Sequence, residues 1–283
     1  MERYWINGMP GRLVDIDDRG LAYGDGLFET IAIRCSAARF LDLHLDRLYA
    51  GSARLKLPAP ERGSLFVQLT AAAAGIDEGV MKLILTRGPG PRGYRPAQHQ
   101  HQQPNQHQQP TVAWGLERCK AQRWTPIRVR WCETIAGRNP VTAGLKTLCR
   151  LEQVLARAEW QDELIAEGFM CDEQGQLVGG TACNVFIVSG GRLLTPSVTH
   201  AGISGVMRRV ILQQAHEAGI ESYQGPVTKK DLLDADEVFV SNALIGIRPV
   251  VQLGERQWKP GPVTFRLASK LVDLGVGECA GSC

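Results

Sequence analysis

The 283-residue chain is most informative first in what it lacks. No apolar run approaches the roughly 20 residues of a membrane-spanning helix. The opening MERYWINGMPGRLVDIDDRG lacks the charged, apolar and small-residue order of an export signal, so a cytoplasmic chain is expected. The net charge is only +3, and no Lys/Arg block is interleaved with aromatics, which leaves nucleic acid and membrane surfaces little to hold. A small-molecule partner is the better expectation. The eight cysteines, Cys35, Cys119, Cys132, Cys149, Cys171, Cys183, Cys279 and Cys283, form no CxxC pair, which argues against zinc and disulfide frameworks and for buried thiols. Cys279 and Cys283 fall on GVGECAGSC, a Gly-rich tail expected to be mobile and open to oxidation. There is no internal repeat and no coiled-coil heptad.

What is present suffices for one large core or two moderate ones. RYWING reads as a strand into an Asn-Gly turn, and LFETIAIRCSAARFLDL as a hairpin. In DLHLDRLYAGSARL, Leu45, Leu48 and Leu55 share a helical face and Asp42 is a possible N-cap. GVMKLILTRG and PTVAWGL read as paired strands, separated by AQHQHQQPNQHQQP, which has almost nothing to bury and reads as a disordered tip. His99, His101 and His107 in that tract have no rigid framework on which to hold a metal. The pattern divides into a smaller α+β domain over 1–115, with the Gln/His/Pro loop at 98–110, a linker at 116–124, and a larger α/β domain over 125–283.

Lys146 precedes TLCRLEQVLARAEW, in which Leu148, Leu151, Leu155 and Ala158 recur as the core stripe of a helix. A lysine there is either a solvated charge or a group projecting into a cleft, and an anion site nearby favours the second. Three stretches offer one. Gly202, Ile203, Ser204 and Gly205 lead into an amphipathic helix whose first N–H groups suit a phosphate, although Ser204 is equally an ordinary N-cap. His44 and Arg47 lie one turn apart on one helix face, where Arg47 could fork a phosphate or simply be a surface arginine. Ser241 and Asn242 stand at a strand end. An amine beside phosphate donors is what pyridoxal phosphate requires.

Taken in order, YGDGLFET, HLDRL, RNPVTAGLKTLCRLEQVLARAEW, the strand ending in Asn184-Val-Phe, GISGVMR and DEVFVSNALIGIRPV resemble the fold-type IV pyridoxal-phosphate enzymes over almost the whole chain. Within them Arg150-Leu-Glu152-Gln is most similar to the aminodeoxychorismate lyases. The resemblance implies two domains with the cofactor between them, a homodimer, and Lys146 as the Schiff-base lysine. It further implies Arg47 on the phosphate, N–H groups from Ile203 and Ser204 on the same phosphate, and closure over it by Asn242 and Ala243. The implied reaction converts 4-amino-4-deoxychorismate to 4-aminobenzoate and pyruvate. A D-amino acid or branched-chain aminotransferase, or an inactive cofactor-binding relic, are the alternatives.

Two positions depart from the pattern. Cys149 stands where the lyases commonly have Asn. In LVGGTACNVF, Gly179 stands where the family usually places the glutamate that pairs with the pyridine nitrogen, and Asp172 and Glu173 precede a turn that should aim them elsewhere.

Overall fold

The computed structural model describes residues 3–96 and 109–281. His99, His101, His107, most of the 98–110 loop and Cys283 therefore lie outside the described residues.

The chain divides into two compact units, residues 1–120 with Leu145–Cys149, and residues 121–144 with 150–283. The five residues around Lys146, which the sequence pattern places in the second domain, thus group with the first. The reason is local: Thr147 bridges Leu27, the Phe28 N–H donates to the Lys146 carbonyl at 3.0 Å, and the Leu148 N–H donates to the Gly26 carbonyl at 3.0 Å.

The first unit contains β1 (Arg3–Ile6), β2 (Met9–Pro10), α1 (Arg19–Tyr23), β3 (Gly26–Arg34), β4 (Ala37–Ala38), α2 (Leu41–Leu55), α3 (Arg62–Ala73), β5 (Glu78–Thr86) and β6 (Thr111–Arg118). Among the described residues its strands form one six-stranded sheet in the order β2-β1-β6-β5-β3-β4, antiparallel at every pairing. Strand side chains alternate between faces. Ile31 and Ile33 of β3, Leu83 of β5, Leu45 and Leu48 of α2 and Leu69 of α3 accordingly share one core. Each such side chain contributes about 1.5–3 kcal/mol by leaving water. Asp42 is not the cap of α2: the helix starts a residue earlier, after Phe40 in the left-handed region (φ 54°), and Asp42 sits in its first turn. A carboxylate there still favours the helix through its dipole.

The second unit contains β7 (Ile127–Trp131), α4 (Leu151–Arg157), β8 (Ile165–Cys171), β9 (Leu177–Gly180), β10 (Asn184–Ser189), β11 (Arg192–Pro196), α5 (Val206–Glu217), β12 (Ser222–Gly225), α6 (Lys229–Leu233), β13 (Glu237–Asn242), β14 (Gly246–Leu253), β15 (Arg256–Gln257) and α7 (Pro262–Asp273). Its mixed sheet runs β12-β11-β10-β13-β14-β7-β8-β9, with β15 on β14. Pairs β11/β12, β14/β7 and β7/β8 are parallel. Phe169, Val185, Ile187, Val238 and Val240 lie in its core, and α5 and α7 pack together and against β13.

Two expectations fail in this unit. The stripe of Leu148, Leu151, Leu155 and Ala158 is not a core stripe: α4 begins only at Leu151, so Leu148 belongs to another element, and the helix turns Ala156 inward against Ala136 and Met170. Leu151 is 69 % exposed and Leu155 54 %. The tail is not open at Cys279 either. That thiol is buried in a 3-10 turn, Gly277–Cys279, with its Sγ 3.4 Å from the Ile247 N–H. Among the described residues no helix is long and apolar enough to cross a membrane.

Candidate active site

In the first unit the site is organised by β3. Its core-facing positions run Leu27, Glu29, Ile31, Ile33, a charge inside an apolar row, and Glu29 is 1 % exposed. A buried carboxylate must be paired. Helix α2 supplies the partners from one face: His44 Nδ1 lies 2.6 Å from Glu29 Oε2, Arg47 Nε donates to Oε1 at 2.8 Å, and Arg47 Nη2 donates to Oε2. Burial alone would push the Glu29 carboxyl up, but the hydrogen bonds from His44 and Arg47, reinforced by the Arg47 charge, hold it below the usual carboxylate range. Burial pushes the His44 imidazole below its ordinary value. Glu29 opposes that shift, while the charges of Arg47 and Lys146 assist it. A carboxylate only accepts, so Nδ1 carries the hydrogen of a neutral His44. The network fixes Arg47 by a two-point clamp.

Lys146 is half-buried, and its Nζ lies 4.2 Å from the centroid of the Phe28 ring. Phe28 and Glu29 are neighbours on β3 and face opposite ways, so one strand positions both the ring under the lysine and the carboxylate behind the arginine. Cys149 ends the segment near the Tyr23 and Gly24 carbonyls, with Sγ 3.8 Å from each.

In the second unit the start of α5 is the stretch the sequence offers for an anion. The turn before it is held by Gly144, whose N–H donates to the Gly202 carbonyl at 2.9 Å and whose carbonyl accepts from the Ser204 N–H at 3.0 Å. Asn184 Nδ2 donates to the Ile203 carbonyl at 2.9 Å. Gly205 leaves room for the Asn184 amide: a Cβ there would lie 2.0 Å from Asn184 Oδ1, so the side chain would have to shift. The cap of α5 is Gly205 with no side-chain cap, so Ser204 is not an N-cap. Nor is the Ser204 N–H available to a phosphate, because Gly144 takes it. The N–H groups of Ile203, Gly205 and Val206 have no protein partner among the described residues, at the positive end of a 12-residue helix. Gly144 is two residues before Lys146 in the chain.

Asn242 ends β13 and shapes the turn carrying Ala243. Its Oδ1 accepts from the Leu244 N–H at 2.9 Å and the Ile245 N–H at 3.1 Å, and its Nδ2 lies 3.3 Å from Cys183 Sγ. Burial and the nearby Glu167 carboxylate push the Cys183 thiol well above its ordinary range, which leaves it inert. Gly179 pairs with Met170, and a Cβ on it would meet the Cys183 carbonyl oxygen at 3.1 Å. Glu167 stands nearby but is spent: its oxygens accept from the N–H groups of Gly168 (2.9 Å), Thr181 (2.9 Å) and Ala182 (3.1 Å) and from Thr181 Oγ1 (2.5 Å). Asp172 pairs with Arg138 at 2.7 Å and caps the Gln174 and Gln176 N–H groups, so it turns the chain between β8 and β9.

Taken unit by unit, the first carries an amine, Lys146, and a clamped guanidinium, Arg47, and the second carries N–H groups without a protein partner before α5, the kinds of group that the aldehyde and phosphate of pyridoxal phosphate require. At Gly179, where the resemblance leads one to expect a carboxylate, the chain has no side chain to offer. Sequence reasoning missed Glu29, Phe28 and Glu167; a lone carboxylate on the apolar face of β3 was the available signal for Glu29.

The chain matches the family model for class IV amino-transferases over residues 26–253. It is 32 % identical to an aminodeoxychorismate lyase of Vibrio harveyi over 95 % of this chain and 99 % of that protein. It is 29 % identical to a D-alanine aminotransferase of Listeria innocua over 94 % of this chain and 92 % of that protein. Among solved structures, the 4-amino-4-deoxychorismate lyase of Pseudomonas aeruginosa superposes with a TM-score of 0.86 at 39 % identity, covering 95 % of this chain and 98 % of that one.

Proposed function

The chain belongs to the class IV amino-transferase family, a family of pyridoxal-phosphate enzymes, and from that premise we propose that it is a carbon–oxygen lyase converting 4-amino-4-deoxychorismate to 4-aminobenzoate and pyruvate. The observation that carries this reading is Lys146 pinned along β3, its amine over Phe28, with Arg47 clamped by Glu29 through the same strand. The lyases of Vibrio harveyi and Pseudomonas aeruginosa, matched over nearly their whole length, support the substrate.

In this proposal Lys146 holds the cofactor through its amine, and Arg47 and the N–H groups of Ile203, Gly205 and Val206 hold the phosphate. The bound cofactor supplies an electron sink for the pair released at the amine-bearing carbon. The residues do the rest. With its amine free, Lys146 removes the ring proton from that carbon, and its ammonium form returns a proton to the departing enol fragment, which becomes pyruvate as the C–O bond breaks. Ring aromatisation drives the step. The Phe28 ring face stabilises the ammonium form by about 0.5–1 kcal/mol, a modest bias at a half-exposed site. Glu29 keeps the Arg47 guanidinium aimed without itself reaching the reaction.

Incubating the purified protein with aminodeoxychorismate and following 4-aminobenzoate by its fluorescence tests the reading; absence of product at full cofactor occupancy refutes it. A transaminase is the second reading, supported by the D-alanine aminotransferase relative. D-alanine or branched-chain substrates with a keto acid, giving the pyridoxamine spectrum, would favour it. Gly179 favours a third, an inactive relic that binds cofactor and fails with every substrate. We propose further that the protein works as a homodimer, to be checked by light scattering.

A further inference from the structure

Lys146 belongs to no helix or strand. Its segment, Leu145–Cys149, is laid along the start of β3, where the Phe28 N–H donates to the Lys146 carbonyl and the Leu148 N–H to the Gly26 carbonyl, each at 3.0 Å. The position of the lysine backbone is therefore only as fixed as the first residues of that strand.

Two glycines let the segment approach. Gly24, with φ 66°, caps the C-terminus of α1, and a Cβ there would lie 2.5 Å from Cys149 Sγ. At Gly26 a Cβ would lie 2.5 Å from the Leu85 carbonyl oxygen and 2.8 Å from Leu148 Cδ1. Between them Asp25 is the fastening. Its Oδ2 accepts from Arg87 Nε at 2.7 Å and from Arg19 Nε at 3.0 Å, and its Oδ1 accepts from Arg87 Nη2 at 3.1 Å. The Asp25 carbonyl also accepts the Arg87 N–H at 3.1 Å. Burial pushes the carboxyl up, but the hydrogen bonds and charges of Arg87 and Arg19 hold it below the ordinary carboxylate range. Arg87 reaches further: it donates to the Lys56 carbonyl at 2.7 Å and the Leu55 carbonyl at 3.1 Å, at the C-terminal end of α2, where a cation complements the helix dipole. That helix carries Arg47.

We propose that Asp25 is a positioning residue for the Lys146 amine: clamped by Arg87 and Arg19, it fixes the Gly24–Gly26 turn against which the Lys146 segment lies. It acts through the main chain and does not touch the reacting atoms. The inference rests on Lys146 as the cofactor lysine and holds for a lyase and a transaminase alike. Removing the carboxylate leaves two guanidiniums that now converge on one oxygen, and their mutual repulsion opens the turn.

Hydrogen exchange of the holoenzyme at residue resolution tests this. In Asp25→Ala the Phe28 and Leu148 amides should exchange about tenfold faster than in the native protein when each is measured against the mid-sheet Leu83 amide. Asp25→Asn, which keeps one acceptor oxygen, should fall between. Leu69→Ala, a core substitution on α3 of the same unit, should speed all three amides together. In turnover, Asp25→Ala should lower kcat about tenfold and leave KM within about twofold, the pattern of a displaced amine. Should Asp25→Ala fail to fold, Asp25→Asn and Arg87→Lys carry the same comparison. Phe28 and Leu148 amides that keep pace with Leu83, or a native kcat in Asp25→Ala, overturn the proposal; if the native protein shows no lyase turnover, the exchange result decides it. Borohydride reduction and peptide mapping keep the two failures apart. A pyridoxyl group on another lysine ends the cofactor assignment and the proposal with it, whereas a label on Lys146 with unchanged relative exchange sinks the proposal alone.

Discussion

Glu29 Oε2 and His44 Nδ1 lie 2.6 Å apart with both side chains 1 % exposed, so a strand and a helix of the first unit are joined by a hydrogen bond out of reach of water. The same carboxylate clamps Arg47, and its removal would take away the charge that meets two of the guanidinium's donors in a largely buried place. Glu29→Gln should therefore cost about 3–5 kcal/mol of stability, the usual penalty for deleting one partner of a buried pair. Urea unfolding measures it; a loss below 1 kcal/mol would show that Arg47 finds another partner.

The pH dependence follows from the same pair. Both groups have folded-state values below their ordinary ones, so in each case the unfolded chain binds protons first as pH falls. The stability they contribute is present above the unfolded values of 6.5 for His44 and 4.5 for Glu29 and is lost as pH drops below each. Thermal unfolding should be flat above pH 7, soften first through the histidine range and fall further in the carboxylate range. A His44→Gln variant should lose the first decline; if it keeps it, another group is responsible.

Lys146 should carry the pyridoxyl group after borohydride reduction and peptide mapping, since it is the lysine held along β3 within the family pattern. A label on Lys82 or Lys120 would end the assignment, and Lys82 is the more searching control because it lies against the same Phe28 ring.

The sequence pattern made the strand and helix order readable because alternation and 3.6-residue spacing report local burial. It also placed His44 and Arg47 on one face, as their shared Glu29 partner bears out. What it did not reveal depended on distant partners. Glu29 reads as a misplaced charge until α2 is folded over it. Leu145–Cys149 reads as the approach to a helix, because its pairing with β3 spans more than a hundred residues. The apolar spacing of Leu151 and Leu155 is periodic, but periodicity names a face without saying what covers it. Leu155→Ala should accordingly change the stability of the isolated chain by less than about 0.5 kcal/mol, whereas Leu45→Ala, from a fully buried site, should cost about 2–5 kcal/mol. Equal losses by denaturant titration would contradict this division.

Gly205→Ala should weaken cofactor retention. Its Cβ would fall 2.0 Å from Asn184 Oδ1, so the Asn184 amide must shift, which should strain its bond to the Ile203 carbonyl and disturb the N–H groups at the start of α5. Dialysis followed by absorbance should show faster cofactor loss than in the native protein, and unchanged loss would remove that turn from the phosphate site.

Gly179 poses the sharpest question. A carboxylate beside the pyridine nitrogen keeps it protonated, and a protonated ring draws electrons more strongly from a breaking bond. Asp172 is committed to Arg138 and its own turn, and Glu167 to the Gly168, Thr181 and Ala182 N–H groups, so neither is at liberty to stand in. A transaminase would suffer most from that lack, because within each half-reaction the released electron pair would have to rest on the cofactor until reprotonation, whereas a lyase would pass the electrons out with the leaving fragment as its product becomes aromatic. Gly179→Glu should raise turnover of aminodeoxychorismate and slow cofactor loss. The backbone has some room to concede: the new Cβ meets the Cys183 carbonyl oxygen at 3.1 Å, and that oxygen already accepts the Gly180 N–H at 2.8 Å, so a shift of a few tenths of an ångström must be absorbed by the turn folded round Glu167. Circular dichroism and melting temperature separate a strained turn from a chemical effect. If the variant folds as the native chain does, retains its cofactor and turns over more slowly, the pocket is adapted to glycine and the missing-acid account is wrong.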